Sequence, residues 1–134
     1  MSSPYTSEEH SPVPDTLQHL AGTPVLVCAR DGAPLRNEQD ALDLIGEGLG
    51  HDAAWVAVPV GRLTDDFFRL RTRVAGDIVQ KFANYRLKLA VVGDISRHTE
   101  AGGALPDFVR ESNRGTQLWF LPDIDALRTR LAEV

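Results

Sequence analysis

Arg69, Arg71, Thr72 and Arg73 put three guanidinium groups and a hydroxyl into five consecutive positions. Arginine presents a planar fork of donors that suits phosphate and carboxylate oxygens. Threonine is a residue that caps helix starts by accepting from a first-turn N–H. A helix beginning at Thr72 would leave further N–H groups free beside the guanidiniums, with a partial positive charge that favours an anion. The plainer alternative is that Thr72 only caps and the arginines are only solvated. The residue types leave both open.

Two further constellations carry polar chemistry. Gly93-Asp94-Ile95-Ser96 follows an apolar run, and ligands of open α/β sheets bind at the carboxyl ends of strands. Asp94 could accept a proton or orient a substrate hydroxyl there, with Ser96 beside it. It could equally cap the turn that closes the strand. Glu111 to Gly115 gathers Asn113 and Arg114 at an expected helix end, where asparagine or glycine takes the left-handed conformation. A ligand pocket built from Arg71, Thr72, Asp94 and Asn113 requires all four to converge at one mouth of a sheet.

Other chemistry is disfavoured by spacing. Gly46-Glu47-Gly48-Leu49-Gly50 lacks the dinucleotide-loop spacing and ends a helical pattern instead of opening one. The chain has no Walker-type phosphate loop and no G-x-S-x-G elbow. His10, His19, His51 and His98 show no i, i+4 pairing with another ligand type, so no metal or cofactor is expected. Cys28, the one cysteine, falls in a β-branched run and reads as an inert buried thiol. A single cysteine rules out an intramolecular disulfide and points to the cytoplasm.

A net charge of −5 argues against a nucleic-acid partner. Only Lys81 and Lys88 are lysines among 14 basic residues, a bias that composition alone can explain. The opening residues have no basic and apolar leader pattern. No apolar run approaches the ~20 residues that span a bilayer, so no membrane partner is expected.

The elements that must hold these groups alternate. Residues 1–14, with three prolines and four serines, read as a flexible tail. Strand signals at 15–20, 24–30, 54–60, 87–92 and 117–121 are separated by helical patterns. Asn37 should cap the first helix, with Ala41, Leu42, Ile45 and Leu49 as its apolar face. The stretch 67–72 alternates and predicts an extended approach with Phe68 and Leu70 inward. Helical spacing through Val74, Ala75, Ile78, Val79 and Phe82 follows, starting at Thr72. Pro106 and Asp123 mark the last two helix starts. The pattern predicts one α/β domain over 15–134, its mostly parallel sheet of four to five strands covered by about four helices.

The segments EQDALDLIGE, FFRLRT, AGDIVQKFANYRLKLAVVGDIS, FVRESNRG and LWFL resemble a bacterial family called domain of unknown function 4180, over about residues 24–131. That resemblance implies no activity. A weaker resemblance of architecture is to the anti-sigma-factor antagonist (STAS) fold, in which a phosphorylatable serine preceded by aspartate starts the second helix. Thr72 would take the serine position, but Arg71 stands where the aspartate should be.

Together these readings lead to a non-catalytic, STAS-like protein-binding or regulatory module, with an anion or phosphorylation site near Thr72. The competing reading is a cofactor-free enzyme or small-molecule binder with a polar pocket at the strand ends. The expected partner is accordingly a protein or a small anionic ligand. A homodimer is compatible with the sequence, with Trp55, Trp119 and Phe67 suited to either core or interface.

Overall fold

Five strands lie across one sheet in chain order. They are β1 (Thr16–Leu20), β2 (Thr23–Val27), β3 (Trp55–Pro59), β4 (Lys88–Val92) and β5 (Leu118–Leu121). β1 and β2 form an antiparallel hairpin, and every later pairing is parallel. The computed structural model describes residues 14–134. The expected tail therefore falls outside the described residues, except for Pro14.

The helices are α1 (Glu38–Gly50), α2 (Asp65–Phe68), α3 (Val74–Asn84), α4 (Ser96–Thr99), α5 (Leu105–Arg114) and α6 (Ile124–Glu133). Their starts follow local chemistry. The Asn37 side chain accepts from the Asp40 N–H, and Asp123 accepts from Ala126. Pro106 occupies the first turn of α5, where its missing N–H leaves no partner wanting. The order of long elements is the one the sequence predicts; α2 and α4 are single turns added to it.

Strand order dictates how the faces are covered. Each parallel strand joins on the same side of its predecessor, so right-handed crossovers carry the connecting helices over one face. Leu26, Val56, Val58, Leu89, Val91 and Phe120 point to that face and pack with Ala41, Ile45, Ile78 and Phe82 from α1 and α3. Fully burying a side chain such as Ile78 or Phe82 contributes roughly 1.5–3 kcal/mol. The other face, with Trp55, Ala57, Ala90 and Trp119, is left to α6 alone through Leu127 and Leu131. Trp55, Trp119 and Phe67 are all core residues, at most 4% exposed. Their burial removes them as interface candidates.

The stretch 67–72 is not extended. Phe67 and Phe68 end the α2 turn and are both buried, and Leu70–Thr72 form a 3-10 turn. The alternation in the sequence is therefore not the signature of a strand. Nor does a helix begin at Thr72. Arg73 occupies the N-cap with φ +67°, and α3 starts at Val74.

No helix among the described residues is long and apolar enough to cross a membrane. No group of three or more His, Cys, Asp or Glu side chains among them is arranged to hold a metal ion.

Candidate functional site

Two tight loops on the helix-covered side build a cleft of about 610 Å³. One wall comes from the chain between α2 and α3. The Thr72 hydroxyl lies near two carbonyls, Asp66 O at 2.6 Å and Arg69 O at 2.7 Å. It also accepts from the Val74 N–H at 3.3 Å. Thr72 thus ties the loop to itself from the inside, while Arg69 and Arg71 line the cleft outside it. A hydroxyl whose one proton serves its own loop is a brace more than a ligand donor.

The opposite wall follows β4. Asp94 accepts from the Ser96 N–H at 2.9 Å, closing the strand with the turn that aspartate favours. That bond, and a second one from the Ser96 side chain, hold its carboxyl below the ordinary range. The turn launches α4, which brings Arg97 and His98 to the cleft. Gly102 and Gly103 then adopt φ +87° and +77°, a left-handed pair that only glycine takes without strain. They deliver Ala104 and Leu105, at the start of α5, to the same cavity. No side chain caps α5, so its first N–H groups open there, with Asp107 in the first turn offsetting part of the dipole.

Three guanidinium groups and one carboxylate, Asp65, line this cleft on a protein of net charge −5. Arg97 meets Asp65 at 3.3 Å and Arg69 meets Asp66 at 3.6 Å, all of them at least half exposed. Such solvated pairs contribute little and exchange readily. Arg71 makes no ion pair among the described residues. The His98 ring stacks on Phe68 with centroids 3.8 Å apart and planes 9° from parallel. Partial burial, then the nearby Arg97, hold its pKa below the usual histidine value, with Asp65 opposing. Phe68, Leu70 and Leu105 give the floor an apolar surface.

The structure separates the residues that a single sequence-derived pocket would have joined. Arg71 lines the cleft; Thr72 braces behind it. Asp94 lines a different groove, on the α6 side of the sheet. Asn113 lies at the far end of α5, where its amide accepts from Phe120 N–H at 2.7 Å and donates to Phe120 O at 3.3 Å. That pairing replaces a neighbouring strand along the open edge of β5. Arg114 pairs with Glu111 on the surface at 3.2 Å. Arg73 is exposed at its left-handed position and Ser96 serves the turn.

Asp65, Arg97, His98, the Gly102-Gly103 pair and Leu105 are among the cleft residues that no sequence motif marked. For Arg97, His98 and the glycines a weaker signal was present: a basic pair just after the carboxyl end of a buried strand, then two glycines before a helix-opening proline. The one buried charged residue among the described residues, Arg62, is structural. It meets Asp15 at 3.0 Å and donates to the carbonyls of Ala33 and Ala29. Burial also pushes the Cys28 thiol far up, which keeps it protonated and inert.

The chain belongs to the DUF4180 family, a domain of unknown function, whose model matches residues 20–131. No curated protein and no solved structure matches it.

Proposed function

We propose that this protein is a binding module for a small anionic ligand, held in the cleft between the Arg69–Arg71 loop and the α4–α5 loop. The observation that carries the reading is the gathering of Arg69, Arg71 and Arg97, with the uncapped start of α5, on a protein that is acidic as a whole. A concave cationic site on an acidic surface focuses potential on anions. The apolar floor accommodates the body of a ligand whose acid group meets the guanidiniums.

A reading centred on Thr72 as a phosphorylated switch has less support. Modification would replace a hydroxyl donor with an anion facing the carbonyls of Asp66 and Arg69. Those carbonyls repel it, and the loop that positions Arg71 would open.

Calorimetric titration of the full chain with inorganic phosphate and with phenyl phosphate tests the proposal. Saturable binding at moderate salt is expected, tighter for phenyl phosphate because of the floor. Arg71→Ala should weaken it at least about tenfold, since one charge-assisted hydrogen bond is worth roughly 1.5–3 kcal/mol. Heat that does not saturate, or that Arg71→Ala leaves unchanged, removes the assignment.

A further inference from the structure

The α6 side of the sheet carries a second cavity that the anion site does not use. Along this face Trp55, at the amino end of β3, and Trp119, in the row of Ala57 and Ala90, fill the amino-terminal and central part of the sheet, their tilted rings 4.3 Å apart between centroids. Val27 and Ala57 share the Trp119 row, and beyond it the carboxyl ends of β3 and β4 carry only Pro59 and Val92, flanked by Gly61 and Gly93. One ten-residue helix cannot cover both ends of a five-stranded sheet, and α6 packs over the tryptophan end through Leu127 and Leu131. The result is an open groove of about 1180 Å³, bounded by Ile124 at the start of α6. Val27, Pro59 and Val92 remain half-buried in its floor.

The groove wall is tightly built. Gly93 has φ +134°, and a Cβ there would lie 2.9 Å from a Val60 methyl carbon. A side chain at that position would be strained and would push into the wall. The rim is charged in the opposite sense to the arginine cleft. Asp31, Asp94 and Asp123 stand on it against one guanidinium, Arg30. Asp94 accepts from the Ser96 backbone and side chain and Asp123 from the Ala126 N–H, and Asp94 is exposed at the rim. Asp123 also sits on the positive end of the α6 dipole and offsets it. With Asp123 so offset, Asp31 and Asp94 stand against Arg30, and the rim keeps a surplus of one negative charge.

We propose that this groove is a second ligand site, and that it takes a small organic amine with an apolar body. The half-buried floor fits the body, and the Asp94 and Asp31 carboxylates fit the ammonium group. The site lies at the carboxyl ends of β2, β3 and β4, where parallel sheets bind ligands.

Titration of the full chain with benzylamine, followed by amide proton–nitrogen correlation spectra, tests the assignment. Benzyl alcohol and benzoate serve as neutral and anionic isosteres. Benzylamine should give saturable shifts at the Gly61, Gly93 and Ile124 amides, with a Kd about two- to fivefold below that of benzyl alcohol, as one screened charge contact implies. Asp94→Asn keeps the Ser96 cap through its amide oxygen and should remove most of that preference. Asp31→Asn provides the same readout if Asp94→Asn fails to fold. Arg71→Ala should leave benzylamine binding unchanged, which separates this site from the anion cleft. Equal binding of benzyl alcohol or benzoate, shifts that map to the arginine cleft, or shifts that do not saturate would each overturn the proposal.

Discussion

Asp15 and Arg62 lie 47 positions apart in the chain and meet at 3.0 Å, each side chain at most 10% exposed. The pair fastens the entry to β1 onto the turn after β3. Gly32 sits against the guanidinium so closely that a Cβ would fall 2.4 Å from its Cζ atom. Asp15 also accepts from the Ala29 N–H. Removing one partner leaves the other buried and uncompensated, so Arg62→Met should lower unfolding stability by about 3–5 kcal/mol. Asp15→Leu combined with Arg62→Met should recover part of that loss, because no lone charge remains. Urea unfolding of both variants checks the difference. Equal stabilities would mean that the pair is not coupled.

Glu47 is exposed as a residue but its carboxyl turns toward Asp15. Burial first, and then the Asp15 carboxylate, raise its pKa, against weaker help from Arg62 and His51. The sign follows directly. A folded pKa above the unfolded value favours the fold while the group is protonated, and the advantage is lost as pH rises through the carboxylate range. Glu47→Gln should therefore match wild type near pH 4 and become the more stable protein by pH 7, with model carboxyls titrating at about 4.3. Denaturant midpoints at the two pH values measure the divergence, and parallel curves would refute it.

Asn113 stands in for a sixth strand beside β5. Asn113→Ala should cost roughly 1–3 kcal/mol, because the Phe120 N–H and carbonyl lose their partner at a buried residue. It should also expose the edge of β5 to pairing with another copy. Sedimentation velocity at rising concentration reads the second effect. A variant that stays as monodisperse as wild type would show that the edge is protected by other means.

The fold was legible where one chemical signal dominated. Continuous apolar runs announced β3 and β4, and Asn37 and Asp123 announced their helices as caps. The segment 67–72 misled because its alternation came from aromatic and arginine residues placed on two tight turns, not on a pleated strand. Thr72 could not be read because its hydroxyl turns back to Asp66, a contact that depends on the α2 turn being present. The candidate site was half visible. Arg69 and Arg71 stood out as a cluster, but Arg97 and His98 join them only through the return of the chain after β4. The Asp15–Arg62 pair had no local signature, since its value arises from burial that neither residue announces.

His98 makes the anion cleft sensitive to pH. Its ring faces Phe68, with Arg97, Arg69 and Asp65 as the charged groups around it. Partial burial and Arg97 depress its pKa. In the free protein this means that stability falls as pH drops through the histidine range, because the unfolded chain takes up the proton more readily. A bound dianion reverses the balance, since an opposite charge nearby favours the imidazolium. Sulfate is a suitable probe because it stays dianionic over the whole range. Its stabilisation of the melting temperature, measured against chloride at equal ionic strength, should grow between about pH 7.5 and pH 5.5, across the ordinary histidine pKa. His98→Gln should flatten that growth while keeping the sulfate effect at pH 7.5. If the variant shows the same pH slope as wild type, the proton is taken up elsewhere and His98 is not part of the site.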